Sequence, residues 1–164
     1  MSLGKTRVEA QRIVTLPRIT GPALAGIPAG MRWFVPVDER CVVTNGGGRV
    51  FAAGDDTDFP VKHGGIAAQE ADTAAEGIVH LAGLGDRPDP LRPVIRGMLL
   101  TGARPLYLSA EVVDGLGWRS EVHERLPWPL EDKIVAEELG RDLRRLNRPA
   151  GRTATEDDAV GADP

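Results

Sequence analysis

The sequence predicts a mixed α/β fold: a small sheet packed on an alanine-rich helix, followed by a β-hairpin and a carboxy-terminal helix. Three stretches carry that expectation. Arg49-Val50-Phe51-Ala52-Ala53 is short and apolar enough for a buried strand, and it ends on Gly54-Asp55. After Gly64-Gly65, residues Ile66, Ala67, Ala71, Ala74, Ala75 and Ile78 recur at three- and four-residue intervals, which predicts a helix with one small apolar face turned to a sheet. Residues 94–102 and 105–108 read as two strands around a tight turn.

Composition narrows the class. At 164 residues the chain is one domain or slightly more, and 41% hydrophobic residues suffice for a core. A formal net charge of −4 argues against a nucleic-acid partner. The single cysteine, Cys41, excludes an internal disulfide framework and any cysteine-based zinc site. With no apolar run of membrane-spanning length and no signal peptide at the start, a cytoplasmic location is the default expectation.

The elements follow in order. Met1-Ser2-Leu3 reads as an added leader and is set apart. Residues 12–17 form a β-like run closed by Pro17, and residues 21–28 are too rich in Gly and Pro for a regular element. Residues 33–38 and 41–44 are further extended runs, and Asn45-Gly46-Gly47-Gly48 is a turn signal. That glycine cluster is no phosphate loop, because no Gly-Lys-Ser/Thr follows it. Cys41 sits beside valines and reads as a small core residue.

Asp55 follows the predicted strand, and ligands bind at the carboxyl edge of open α/β sheets. The acids at 55, 56 and 58 lack the alternate spacing of a calcium loop, so no metal is expected. Pro60 breaks the connection, and Gly64-Gly65 opens the helix with amides that have no intrahelical partner. Gly83 stands where a left-handed cap ends that helix, and Asp86-Arg87-Pro88-Asp89-Pro90 is a connector. Residues 112–124 show no clear period. A helix is predicted from about residue 130 to 146 on Ile134, Val135, Leu139, Leu143 and Leu146, its end loaded with arginines that suit the dipole. A membrane-surface contact through that helix is the minor alternative. The polar, acidic stretch 149–164 predicts disorder.

The run Val50-Phe51-Ala52-Ala53-Gly54-Asp55, then Phe59-Pro60-Val61-Lys62-His63-Gly64-Gly65, then Ala67-Ala68-Gln69-Glu70-Ala71-Asp72 resembles the second flavin signature of FAD-dependent pyridine nucleotide–disulfide oxidoreductases. The Pro-x-Lys-x-Gly-Gly form resembles the branch with sulfide:quinone reductases and NADH:quinone oxidoreductases. The resemblance implies a partial flavin-domain sheet over residues 4–85 and an interface segment over 86–148. It also implies FAD as cofactor, NAD(P)H as co-substrate, and a cofactor half-site at Gly54, Asp55, Lys62, His63, Gly64 and Gly65. Asp55 would hold the ribityl hydroxyls, while Lys62 and the helix amides would stabilise charge on the reduced ring. The hairpin Arg96-Gly97-Met98-Leu99-Leu100-Thr101-Gly102 with Tyr107-Leu108 resembles the same branch's carboxy-terminal region. The chain departs from the signature at Asp56, where a small residue is usual.

No Gly-x-Gly-x-x-Gly turn occurs in the sequence, so the pyrophosphate cradle is missing. The resemblance, over about residues 5 to 148, therefore implies the carboxy-terminal portion of an enzyme. The partner it calls for is an amino-terminal portion binding flavin and nicotinamide, and the isolated chain would be inactive. A homodimer is allowed. The alternative is a stand-alone, non-catalytic binding or assembly module derived from such an enzyme.

Overall fold

The computed structural model describes residues 2–3, 6–7, 9, 11–12, 14–113, 117–129 and 133–146. Its elements are β1 (Ser2–Leu3), β2 (Thr6–Arg7), a 3-10 turn (Met31–Trp33), α1 (Gly64–Leu81), β3 (Val94–Leu99), β4 (Leu106–Val113), β5 (Gly117–His123) and α2 (Glu137–Leu146). Helix and sheet are both present, and the main sheet is antiparallel, in the order β3-β4-β5. Strands β1 and β2 form a separate two-residue ladder that includes Ser2 and Leu3 of the expected leader.

The expected sheet of the first eighty residues takes a looser form. Isolated bridges join Val35 to Thr57, Val37 to Val43 and Val42 to Phe51, in place of regular strands. Pro36 offers no N–H to a ladder, and residues 44–48 turn too soon for long pairing. Single backbone bonds do the joining: Val43 N to Val50 O at 2.8 Å, Ala52 N to Cys41 O at 3.0 Å, and Val35 N to Asp56 O at 2.8 Å. Residues 49–53 are thus extended, without being the regular strand the sequence predicts. The turn at 44–48 forms as expected, with Asn45, Gly47 and Gly48 at positive φ. Residues 14–20 carry no regular structure, and Val14 and Leu16 stand in the open.

Helix α1 starts at Gly64 as the pattern predicts and ends in a Schellman motif. Leu84 N reaches Val79 O at 3.1 Å and Gly83 N reaches His80 O at 2.9 Å, with Gly83 at φ +73°. Its buried face differs from the expected one. Ile66 and Ala74 are buried, but Ala71, Ala75 and Ile78 are exposed, while Gln69, Glu70, Thr73 and Gly77 complete the inner side. Gln69 clamps the start of β3, donating from Nε2 to Val94 O (2.9 Å) and accepting from Val94 N at Oε1 (2.9 Å). Gly77 leaves room for Phe51, since a Cβ there would lie 2.4 Å from its ring.

The predicted hairpin is β3 and β4, turning at Gly102 (φ +82°). The stretch read as lacking a period, 112–124, holds the end of β4 and all of β5. Strand β5 is exposed along nearly its whole length, so burial imposes no alternation on its sequence. Trp128 covers one sheet face, edge-on to Tyr107 and His123 (centroids at 6.3 and 6.4 Å), with Arg96 5.2 Å from its ring. Helix α2 begins at Glu137, later than expected, because its cap comes from α1: Asp72 Oδ2 accepts from Glu137 N at 2.7 Å. Residues 130–132 and 149–164, on which part of the helix and the disordered tail were expected, lie outside the described residues.

Candidate functional site

The loop 54–57 is built around a buried carboxylate that sequence reasoning did not single out. Glu70, in the second turn of α1, is 2% exposed. Gly54 N donates to its Oε2 at 2.5 Å, and Thr57 Oγ1 lies 3.1 Å from its Oε1. The same hydroxyl is 3.0 Å from Gly54 O, and Thr57 N also donates to Gly54 O at 3.1 Å. Gly54 takes φ +91°, a left-handed value that glycine adopts at little cost. The turn is thereby closed on both sides by one side chain.

A hydroxyl has one proton, and Thr57 has two acceptors in reach. As a carboxylate Glu70 takes the Thr57 proton at Oε1 and Gly54 O keeps the bond from Thr57 N; were Glu70 protonated, Oε1 would donate to Thr57 Oγ1, which could then donate to Gly54 O. Burial raises the Glu70 pKa toward the protonated form, opposed by the bonds from Gly54 and Thr57 and by Lys62, with Asp55 adding to the rise. Lys62 is shifted downward, chiefly by burial, although Glu70 and the acids at 55, 56 and 58 pull the other way. Its Nζ bonds Thr57 O and sits 4.3 Å from the Phe34 ring centroid.

The six residues expected at the cofactor half-site fall into two groups. Asp55 is exposed, and among the described residues its carboxylate makes no hydrogen bond or ion pair, while it acts electrostatically on both Lys62 and Glu70. Gly64 is exposed, with open space where a Cβ would stand. Gly54 is committed to Glu70. His63 caps α1 itself, its Nδ1 accepting from Gly65 N at 3.1 Å, so the amide of Gly65 is already taken. Lys62 is turned onto the loop backbone and Phe34.

Asp56 and Asp58 serve the loop. Asp56 O accepts from Val35 N, and Asp58 Oδ1 accepts from Val37 N at 3.2 Å. Cys41 is 1% exposed, and its thiol is pushed up from 9.0 to about 12, first by burial and then by Glu70 and Asp38. That is a core thiol with no nucleophilic character at neutral pH.

A cleft of about 650 Å³ opens beside this loop, with Asp38, Asp58, Glu70, Leu91, Arg92 and Trp118 among its lining residues. None of the six expected residues lines it. Its acids make it a poor seat for an anion. A signal for Glu70 was present: it sits four residues after Ile66, on the inner side of the helix period.

No protein-family model matches the chain, no curated protein matches it, and no solved structure matches its fold.

Proposed function

We propose that this chain is the carboxy-terminal portion of an FAD-dependent oxidoreductase, whose flavin carries electrons from NAD(P)H to an acceptor. The observation that carries the reading is the Gly54-Asp55 turn. It is braced by Glu70 and presents a solvent-facing carboxylate with no partner among the described residues, in a loop that leads to the amino end of an 18-residue helix. A carboxylate so placed can accept hydrogen bonds from polyol hydroxyls, and the Gly64 amide, which has no acceptor among the described residues, adds a donor with the positive end of the helix dipole. These two residues fit a flavin's ribityl chain and ring edge. Lys62, His63 and Gly65 fit less directly, because each is engaged by the chain itself.

The bound flavin would supply the hydride and electron chemistry; the chain's residues supply orientation and electrostatics. Asp55 would hold the hydroxyls. Gly64 would face the ring, and Lys62 would lend positive charge from the loop. The exposed Val14, Leu16, Met31 and Trp33 are apolar surface of the kind a further portion of the enzyme would cover.

The first test is the coding sequence upstream of Gly4. An open frame continuing into a strand and Gly-x-Gly-x-x-Gly is expected; a stop codon directly ahead would remove the reading. In the joined protein, Asp55→Ala should lower bound flavin at least tenfold, and full flavin content would refute the assignment. A second reading, a binding or assembly module without flavin, is favoured by the inward engagement of Lys62, His63 and Gly65.

A further inference from the structure

The two edges of the main sheet are treated differently. At β3, the Gln69 side chain takes both the N–H and the C=O of Val94. At β5, no described residue bonds the outer edge, and the strand is exposed from Gly117 to Val122. It contains no proline and no bulge that would blunt it.

Side chains alternate along β5. Trp118, Ser120 and Val122 share one face, and Arg119, Glu121 and His123 share the other. Trp118 stands opposite Val112, and Val122 opposite Leu108, so the first face is apolar on either side of Ser120; Trp118 (42%) and Val122 (65%) are exposed on it. On the other face Arg119 is opposite Glu111, and Glu121 is opposite Ser109. Glu121 also lies 3.3 Å from His123 Nε2.

We infer that β5 is the docking edge for a second copy of this chain, paired antiparallel about a twofold axis at Ser120. That register sets Arg119 opposite Glu121 of the second copy, twice over, and Trp118 opposite Val122 of the second copy, twice over. It is selected by charge and by backbone parity. An axis at Arg119 would oppose two arginines, an axis at Glu121 would oppose two glutamates, and an axis at Trp118 or Val122 would leave most of the strand unpaired. An axis between residues would set outward-facing backbone groups against inward-facing ones and break the ladder. In the Ser120 register Arg119 lies between two carboxylates, Glu111 of its own sheet and Glu121 of the other copy, and a Trp118–Val122 pair flanks the central pair of serines on each side. The pairing needs no flavin. The junction is confined to one seven-residue strand from each copy, and the dimer is concentration-dependent.

Sedimentation equilibrium of the full chain tests this. The wild type should rise from 17.5 kDa toward twice that mass with concentration. Arg119→Glu alone and Glu121→Arg alone should each weaken association at least tenfold, since each opposes like charges. The double variant should restore it, and an equimolar mixture of the two single variants should form heterodimers. Circular dichroism on each variant separates lost pairing from lost folding; both positions are exposed. A wild type that stays monomeric overturns the inference. Association indifferent to the single reversals, or a mixture of folded variants that does not pair, overturns it equally.

Discussion

Replacing Glu70 separates two accounts of the loop that carries Asp55. Glu70→Ala leaves Gly54 N–H without its acceptor and opens a small void beside Thr57. An unsatisfied half-buried donor plus lost packing costs about 2–3 kcal/mol, or roughly 5–10 °C in Tm for a domain of this size. Glu70→Gln is different. Its carbonyl can accept from Gly54 N while its amide donates to Thr57 Oγ1, leaving that hydroxyl free to donate to Gly54 O. Every bond of the neutral acid is reproduced, so the expected change is within about 1 kcal/mol. The pH dependence follows the same logic. Glu70 is raised above its ordinary 4.5, so the folded state holds the proton more tightly; its contribution is full below about pH 4.5 and is lost as pH rises through the raised value. Urea unfolding followed by tryptophan fluorescence, from pH 4 upward, measures both effects. The wild type should lose stability across that window and Glu70→Gln should not. Equal destabilisation by Gln and Ala would show that the charge itself is needed, through Lys62, and would refute the neutral-acid account.

Other expectations rest on single contacts. Gly77→Ala should destabilise by about 1–3 kcal/mol by thermal melting, because the new methyl meets the Phe51 ring at 2.4 Å and overpacking outweighs alanine's helix preference. His63→Ala removes the cap on Gly65 N and should cost about 1 kcal/mol, seen as faster hydrogen exchange in the first turn of α1. Cys41 is raised from 9.0 to about 12, so its stabilising contribution is complete below pH 9 and drains away as pH climbs toward 12. Cys41→Ala should flatten that part of the alkaline unfolding curve, and iodoacetamide should not label the folded wild type at pH 8.

The sequence made the boundaries of α1 legible because its start and stop rest on local chemistry: a Gly-Gly opening after a proline-broken loop, and a glycine that adopts the left-handed cap. The β3–β4 hairpin and the 44–48 turn were legible for the same reason, since a turn is decided within a few residues. What sequence missed depends on distant partners. The start of α2 is fixed by Asp72, 65 positions before the amide it caps. Strand β5 carries its alternation weakly, because neither of its faces is deeply buried.

The inner face of α1 shows why periodicity alone misled. A helix against a regular sheet meets backbone that is already hydrogen-bonded, and small apolar side chains suffice. Here α1 meets irregular chain: the 54–57 turn and the first residue of β3, whose N–H and C=O groups no ladder satisfies. Buried backbone groups must find partners, so side chains supply them. Gln69 answers Val94 and Glu70 answers Gly54, and both are therefore buried while Ala71 and Ala75 face water. Adjacent polar residues look like a solvated face, yet where the facing chain is a turn joined by isolated bridges or the open edge of a strand, they become the bonding surface. Exchanging Gln69 for leucine should then be costly even though it makes the face more apolar. Two backbone groups of Val94 would lose their partners, at about 1–3 kcal/mol for each one left buried and unsatisfied. A stabilised Gln69→Leu variant in the same urea assay would refute this account of the helix.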